Sequence, residues 1–415
     1  LMLPHAALRV FVMGERGANR EPASPDDIAR MAALAEQAMH AGAMGFSTSR
    51  TLNHRTSDGQ PTPTLTAAED ELMGIALALG RAGKGVLQFV SDFANPEAEF
   101  AMMRRLCEAS GRPLSFSLAQ SPVAPLGWRK LLDLLEQATA AGLPMKAQVA
   151  ARPVGVLLGL DLTLGPFSLH PDWPKGVSVD EQRRCLADPD FVARLIANPP
   201  PPGHALGTAL LHRWGDMYQL GNPPNYEPLP ETSLAAQAMR RGVAHEEVAA
   251  EWLRDGMIYV PFLNFADGDL DAVGAMLAHP DTIPGLSDGG AHLGMICDGS
   301  FPTTLLTHWA RDRDHGRLPL EFLVKRQAHD TARALGLLDR GLLRPGLRAD
   351  INLIDLDRLA LLPPDVAHDL PAGGRRLLQR ARGIRATLVA GQITYRDGDA
   401  TGALPGRLLR GATTA

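Results

Sequence analysis

Cysteine is scarce in this chain: Cys107, Cys185 and Cys297 are an odd number without CxxC spacing. That argues against a disulfide framework or a thiolate zinc site and favours a reducing, cytoplasmic home. Nothing in the sequence approaches the roughly 18 to 20 continuous apolar residues that a membrane-spanning helix needs. The net charge is only -5, so neither nucleic acid nor an anionic membrane is expected as a partner. No HExxH, HxH, GxSxG, Walker loop or dinucleotide glycine pattern occurs, so zincin, serine-hydrolase, phosphate and nicotinamide chemistries lack their usual signatures. His5, His40, His54, His170, His204 and His212 stand apart, none paired at ligand spacing, and by themselves do not build a zinc site.

What is present describes an ordinary globular protein: 415 residues, 45% hydrophobic and 21% charged, enough for one large domain and a small one. The chain opens Leu1-Met2-Leu3-Pro4-His5 and reads directly into a run expected as a strand, Leu8 to Met13, as though it began in mid-fold with residues missing upstream. Short β-type runs then alternate with helical stretches, the pattern of stacked βα units around a parallel sheet. Ser24 as N-cap, Pro25 and two aspartates open a helix that ends at Gly42, and Thr66 to Glu69 reads as a capping box for the next. Strands are expected at Ala43 to Ser47, Val86 to Val90, Leu114 to Leu118, Met145 to Val149, Met257 to Phe262 and in the run ending at Asp288. Helices are expected from Leu234 to Asp255 and from Leu320 to Leu337. A proline-rich insertion at about 159–231, carrying His170, Trp173, Trp214 and Tyr218, fits a lid or a packing excursion equally well. From Gly341 turns and short strands take over, with Gly391 at a hairpin, so a barrel domain over 1–340 and a small β-rich domain over 341–415 are expected.

On a βα barrel, catalytic groups gather at the carboxyl ends of the strands. Those ends here are polar, with Ser49, Gln88 and Gln120 among them and Arg50, His54, Arg55 and Arg152 as candidate clamps for an anionic group. The strongest single candidate is Asp288, in Gly285-Leu286-Ser287-Asp288-Gly289-Gly290-Ala291-His292. An aspartate delivered by a strand end can ligate a metal or carry a proton between water and a leaving group. An Asx-turn stabilising the Asp-Gly-Gly bend is the structural alternative. His292 is a weaker candidate contact, and Cys297 reads best as a structural thiol.

Three stretches carry a family resemblance: Gly42 to Arg55, the Ser287 to His292 turn, and Gly341 to Asp350. Together they resemble the amidohydrolase superfamily, and within it the D-aminoacylase, or N-acyl-D-amino-acid deacylase, branch. The resemblance implies a metal-dependent (β/α)8 TIM-type barrel with a β-sandwich, hydrolysing an amide C–N bond with a metal-activated water. Asp288 would then serve as metal ligand and proton shuttle, and zinc as the metal. It also implies an HxH pair upstream of Leu1, so that the first two βα units and half of the sandwich are missing. Histidines implied at the ends of strands five and six are replaced by Val86 to Asp92 and Leu114 to Gln120, which contain none. A mononuclear site follows from that reading. Substrate contacts are expected from Ser49, Arg50, His54, Gln88, Gln120, Arg152 and His292, with the substrate's carboxylate meeting an arginine. The alternatives are a cyclic-amide hydrolase of the dihydropyrimidinase or hydantoinase type and a non-catalytic homologue or inactive fragment. The expected partner is a small-molecule amide, and the open barrel edges make a second copy of the chain a further candidate.

Overall fold

The structure is a computed structural model, and it describes residues 1–199, 210–285 and 292–411. Its centre is a parallel sheet of six strands in the order β1 (Met2–Pro4), β2 (Gly45–Arg50), β3 (Val86–Ser91), β4 (Leu114–Leu118), β5 (Met145–Ala150) and β8 (Thr282–Gly285). Helices α1 (His5–Met13), α2 (Glu15–Ala18) and α3 (Pro25–Ala41) follow β1, and α4 (Glu69–Ala82), α5 (Pro96–Ser110) and α6 (Gly127–Ala140) follow β2, β3 and β4. This is the βα order of a TIM-type barrel.

Local chemistry explains most of these elements. Ser24 caps α3 by accepting from Asp27 N, and Asp27 returns the bond to the Ser24 backbone. Asn95 caps α5 through Ala98 N, and Gly42 and Gly111 end their helices in the left-handed conformation. Each strand alternates: Phe46, Leu87, Phe89, Leu114, Phe116, Leu118, Met145, Ala147 and Val149 are buried against the helices in the main core. Their neighbours Ser47, Ser49, Gln88, Ser115, Ser117, Lys146 and Gln148 are half-buried, because successive side chains leave a strand on opposite faces.

Three local expectations are corrected. Leu8 to Met13 is helix, not strand, and the strand before it is Met2–Pro4. The residues α1 buries are His5, Leu8, Arg9, Val12 and Met13, a spacing of three and four that belongs to a helix face. Val10 and Val12, alternating in sequence, imitated a strand, but only Val12 is on that face. Helix α4 begins at Glu69 with Ala68 as its N-cap and no side-chain cap, so Thr66 does not cap it. Three acids in its first turn, Glu69, Asp70 and Glu71, complement the exposed amides instead. The stretch from Leu234 to Asp255 is two helices, because Gly242 takes φ 66° and ends the first of them.

The segment between β5 and β8 is larger than its proline-rich middle suggests. Strands β6 (Val154–Leu158) and β7 (Ile258–Leu263) pair with each other antiparallel, off the main sheet. Helices α7 (Val179–Ala187), α8 (Pro189–Ala197), α9 (Leu234–Arg241) and α10 (His245–Asp255) pack with this strand pair around a second core that includes Leu158, Phe191, Leu195, Leu211, Trp252 and Val260. The chain returns to the barrel through α11 (Asp271–Ala278) and β8. Glu227 locks this excursion down: Arg313 and His308 both bond its carboxylate.

After β8 come α12 (Phe301–Thr307), α13 (Leu320–Lys325) and α14 (Thr331–Ala334), with a π-type turn between the last two. The expected single helix from Leu320 is therefore interrupted. Beyond Gly341 the strands are short and antiparallel: β9 (Ile351–Ile354), β10 (Ala360–Leu361), β11 (Asp365–Leu370), β12 (Gly374–Leu378), β13 (Ala381–Arg382), β14 (Ile384–Val389), β15 (Gln392–Arg396) and β16 (Asp399–Ala400). The hairpin at Gly391 turns with Ala390 at φ 50° and Gly391 at φ 78°, positive at both central residues as a tight two-residue hairpin requires. Among the described residues no helix is long and apolar enough to cross a membrane.

Candidate active site

At the carboxyl ends of β1, β2 and β3 lies a cavity of about 270 Å³, lined by Pro4, His5, Ala6, Ser47, Thr48, Ser49, His54, Thr64, Gln88 and Val90. Its position follows from the sheet: the half-buried faces of β2 and β3 form one wall and the turn from β1 into α1 another. Of the expected substrate contacts, the structure brings Ser49, His54 and Gln88 together here. The Ser49 hydroxyl and His54 Nδ1 are 2.6 Å apart. Thr64 donates to the Ser49 carbonyl at 2.5 Å, and Thr62 N donates to the His54 carbonyl at 3.2 Å, so both residues are fixed through their backbones.

Two of the lining residues, His5 and Thr48, belong to a polar group not read from the sequence. His5 Nε2 meets Glu71 Oε1 at 2.8 Å and His5 Nδ1 meets Thr48 Oγ1 at 2.8 Å. An ionised Glu71 only accepts, so Nε2 carries the proton and Nδ1 accepts from the Thr48 hydroxyl. Arg9 bonds both Glu71 oxygens, at 3.0 and 2.7 Å. Burial pushes the His5 imidazole below its ordinary proton affinity, against the pull of Glu71. The cluster ties α1, β2 and α4 together just beneath the cavity. Its one legible signal was the four-residue spacing of His5 and Arg9, hidden while Leu8 to Met13 was read as a strand.

The expected arginine clamps are placed elsewhere. Arg50 falls on the same strand face as Phe46 and Thr48 and turns away from the cavity, where its Nη1 donates to the Ala67 carbonyl at 2.6 Å. Arg152 is buried in the protein, with its guanidinium 3.5 Å from the Tyr226 ring centre and 4.7 Å from that of Phe301. It donates to the Cys297 carbonyl and the Ser300 hydroxyl, both at 3.0 Å, and stands 3.3 Å from Asp298, fastening the end of β5 to the start of α12. Beside it is a void of about 10 Å³, about the space of a single water. Cys297 lines that void, and burial pushes its thiol up to about 11, as suits a structural cysteine.

Gln120, just past β4, is also turned to structural contacts. Its side chain donates to Asp267 at 2.7 Å and accepts from Ala266 N at 3.1 Å. Its backbone exchanges two bonds with Asn264. This pins the loop after β7 to the mouth of the sheet. Gln148 instead bridges the inner face, donating to Ser115 at 2.8 Å and standing 3.5 Å from Gln88. His292 is exposed at φ 52°, its carbonyl accepting from Met295 N and Ile296 N. Asp288 and its neighbours 286–291 lie outside the described residues, as does His204.

Among the described residues no three histidine, cysteine, aspartate or glutamate side chains are grouped to hold a metal ion. Hydroxyls and carboxamides occupy the inner ends of β3 and β4, a donor set that does not suit zinc. The described cavity can bind and orient a polar ligand, with hydroxyl, amide and imidazole groups converging on about 270 Å³ of space.

Comparison with known proteins adds the wider relationship. A family described as "Amidohydrolase family" matches residues 1–199 and 232–395. Two solved structures of D-aminoacylase superpose with a TM-score of 0.58 at 22% identity, covering 99% of this chain and 71% of theirs. One of them concerns the functional role of that enzyme's binuclear metal centre. A mutant D-aminoacylase in complex with copper chloride gives 0.56 at 21% identity, with 97% and 69% covered. At such identity the likeness is one of fold. No curated protein matches the chain.

Proposed function

The chain belongs to the amidohydrolase family, and from that premise we propose that it hydrolyses the amide C–N bond of small N-acyl-D-amino acids. The observation that carries this reading is the family match, which runs from β1 through the antiparallel strands after Gly341. A polar cavity at the carboxyl ends of parallel strands, where βα barrels carry their chemistry, supports it. Water attacks the acyl carbon, and Asp288, three positions beyond the end of β8 in the sequence, takes its proton and returns it to the departing amine nitrogen. Ser49, His54 and Gln88 hold the substrate, and His292 closes the site from the segment after Asp288. Arg152 and Gln120 act through the loops they fasten. A metal ion, zinc by the resemblance, would take Asp288 as one ligand and supply the activated water; among the described residues no group of three metal-ligating side chains is assembled for it. Three cysteines without disulfides fit a reducing, cytoplasmic setting.

The test is release of free amine from a panel of N-acetyl-D- and N-acetyl-L-amino acids, hydantoins and dihydropyrimidines. D-selective hydrolysis is expected, falling by about 100-fold or more in Asp288→Asn, the loss typical of a missing general acid–base. Circular dichroism checks that the variant is folded. No release from any N-acyl-D-amino acid overturns the proposal.

A further inference from the structure

The cavity's composition carries the reading one step further, resting on the hydrolase proposal for the identity of the substrate. Its ten lining residues include no carboxylate and one exposed imidazole, His54. The Ser49 hydroxyl and His54 Nδ1 are 2.6 Å apart; in the tautomer where the hydroxyl donates, the ring proton stands on Nε2. Among the described residues that nitrogen has no partner. The loop that presents His54 is held at both ends: Asp92 accepts from Thr51 Oγ1 and Leu52 N, and Thr62 N bonds the His54 carbonyl. The imidazole is thus set in advance rather than recruited. Of the nearby acids, Glu71 is bonded by His5 and Arg9, Asp92 holds Thr51 and Leu52 of the His54 loop, and Asp58 bonds Thr56.

A second observation concerns charge. Arg50 bonds only the Ala67 carbonyl, its Nε is buried without a partner, and no described carboxylate pairs with it. It lies close enough to His5 to contribute to that residue's lowered proton affinity. A guanidinium uncompensated behind the wall biases the cavity toward anions. Among the same lining residues Pro4, Ala6 and Val90 supply an apolar surface, Val90 paired beside Ser49 in the sheet.

We infer that His54, its ring set by the Ser49 hydroxyl, anchors the carboxylate of the substrate through Nε2–H, with Arg50 lending its field from behind, and that Pro4, Ala6 and Val90 receive a small apolar side chain. The anchor is therefore an imidazole fixed by a hydroxyl and not an arginine.

N-acetyl-D-alanine and N-acetyl-D-alaninamide, which differ in the carboxylate alone, test this. His54→Gln is expected to raise KM for the acid about tenfold, the loss of one charge-assisted hydrogen bond, with kcat little changed and KM for the amide unaltered. Ser49→Ala should move KM in the same direction by less. An equal rise for both substrates, or no rise, overturns the anchor. A readout independent of turnover is NMR titration of the His54 ring with N-acetyl-D-alanine in the Asp288→Asn protein. Saturable shifts support the anchor, and their absence overturns it. If the ring shifts saturate but the wild-type protein hydrolyses no N-acyl-D-amino acid, the hydrolase reading fails and the anchor stands. If hydrolysis proceeds and the ring does not respond, the reverse holds.

Discussion

The two faces of the central sheet are built on opposite rules. Toward the helices, Phe46, Phe89, Phe116, Ala147 and Val149 are no more than 1% exposed and pack into a continuous core. Toward the interior the same strands offer Ser47, Ser49, Gln88, Ser115, Ser117, Lys146 and Gln148, all half-buried. A barrel interior is ordinarily filled by branched apolar side chains. Here stability is concentrated on the outer face, and the inner face is left for hydrogen bonding. The lesson is that one set of strands separates holding the fold from meeting a ligand by the parity of its residues.

The comparison is broken most easily from the outer face. Phe116→Ala should cost about 3–5 kcal/mol, as burial of a large aromatic ring in a packed core implies, measured by denaturant unfolding. A cost as small as that of an inner-face substitution would erase the distinction. Glu71→Gln probes a strongly polar element on the outer side: it leaves Arg9 buried beside a neutral group, for an expected loss of about 3 kcal/mol in the same assay. Glu227 sharpens the contrast by pH. Although burial pushes its carboxyl up, the bonds from His308 and Arg313 hold it down to about 2 from an ordinary 4.5. A depressed carboxylate stabilises the fold above its unfolded value, so about 3 kcal/mol should be present above pH 4.5 and be lost as pH falls toward 2. Glu227→Gln should flatten that part of the stability profile. Smallest in stability is the inner face: Ser115→Ala should change it by about 1 kcal/mol or less. Gln88→Ala should likewise leave folding almost untouched but lower kcat/KM for N-acetyl-D-amino acids about tenfold, consistent with one lost substrate hydrogen bond.

Much of the fold was legible because its signals are local. Ser24 with Asp27, Asn95 before Pro96 and the glycines at 42 and 111 mark helix ends through bonds made within a few residues, so no tertiary context is needed to read them. Leu114 to Leu118 was legible to the residue, since its alternation fits a strand with one apolar face. Other signals were outvoted by tertiary contacts. The apolar residues of α1 follow a helical spacing that is visible only once His5 and Arg9 count as buried, and they are buried because Glu71, 62 residues beyond Arg9, pairs with them. The strand from Ile258 to Leu263 was legible as a strand, whereas its pairing with β6 depends on a partner about 100 residues away. Within the candidate site, Ser49, His54 and Gln88 could be named from strand ends. That Arg50, Arg152 and Gln120 turn elsewhere was settled by the Ala67 carbonyl, the Tyr226 ring and Asn264.

The sequence by itself determined the alternation of strands and helices, the apolar face that fastens one to the other, and the family resemblance carried by Gly42 to Arg55, the Asp288 turn and Gly341 to Asp350. Each of these depends on residue type at a fixed short spacing. Only the tertiary structure decided which polar groups share a cavity. Ser49 and His54 meet because the loop between them is strapped to Asp92 and Thr62, and Gln88 reaches Gln148 because the strands curve toward one inner face. Hydrogen bonds are short-ranged and directional, so the partner of a polar side chain follows from the path of the chain, and its spacing in the sequence says little about it.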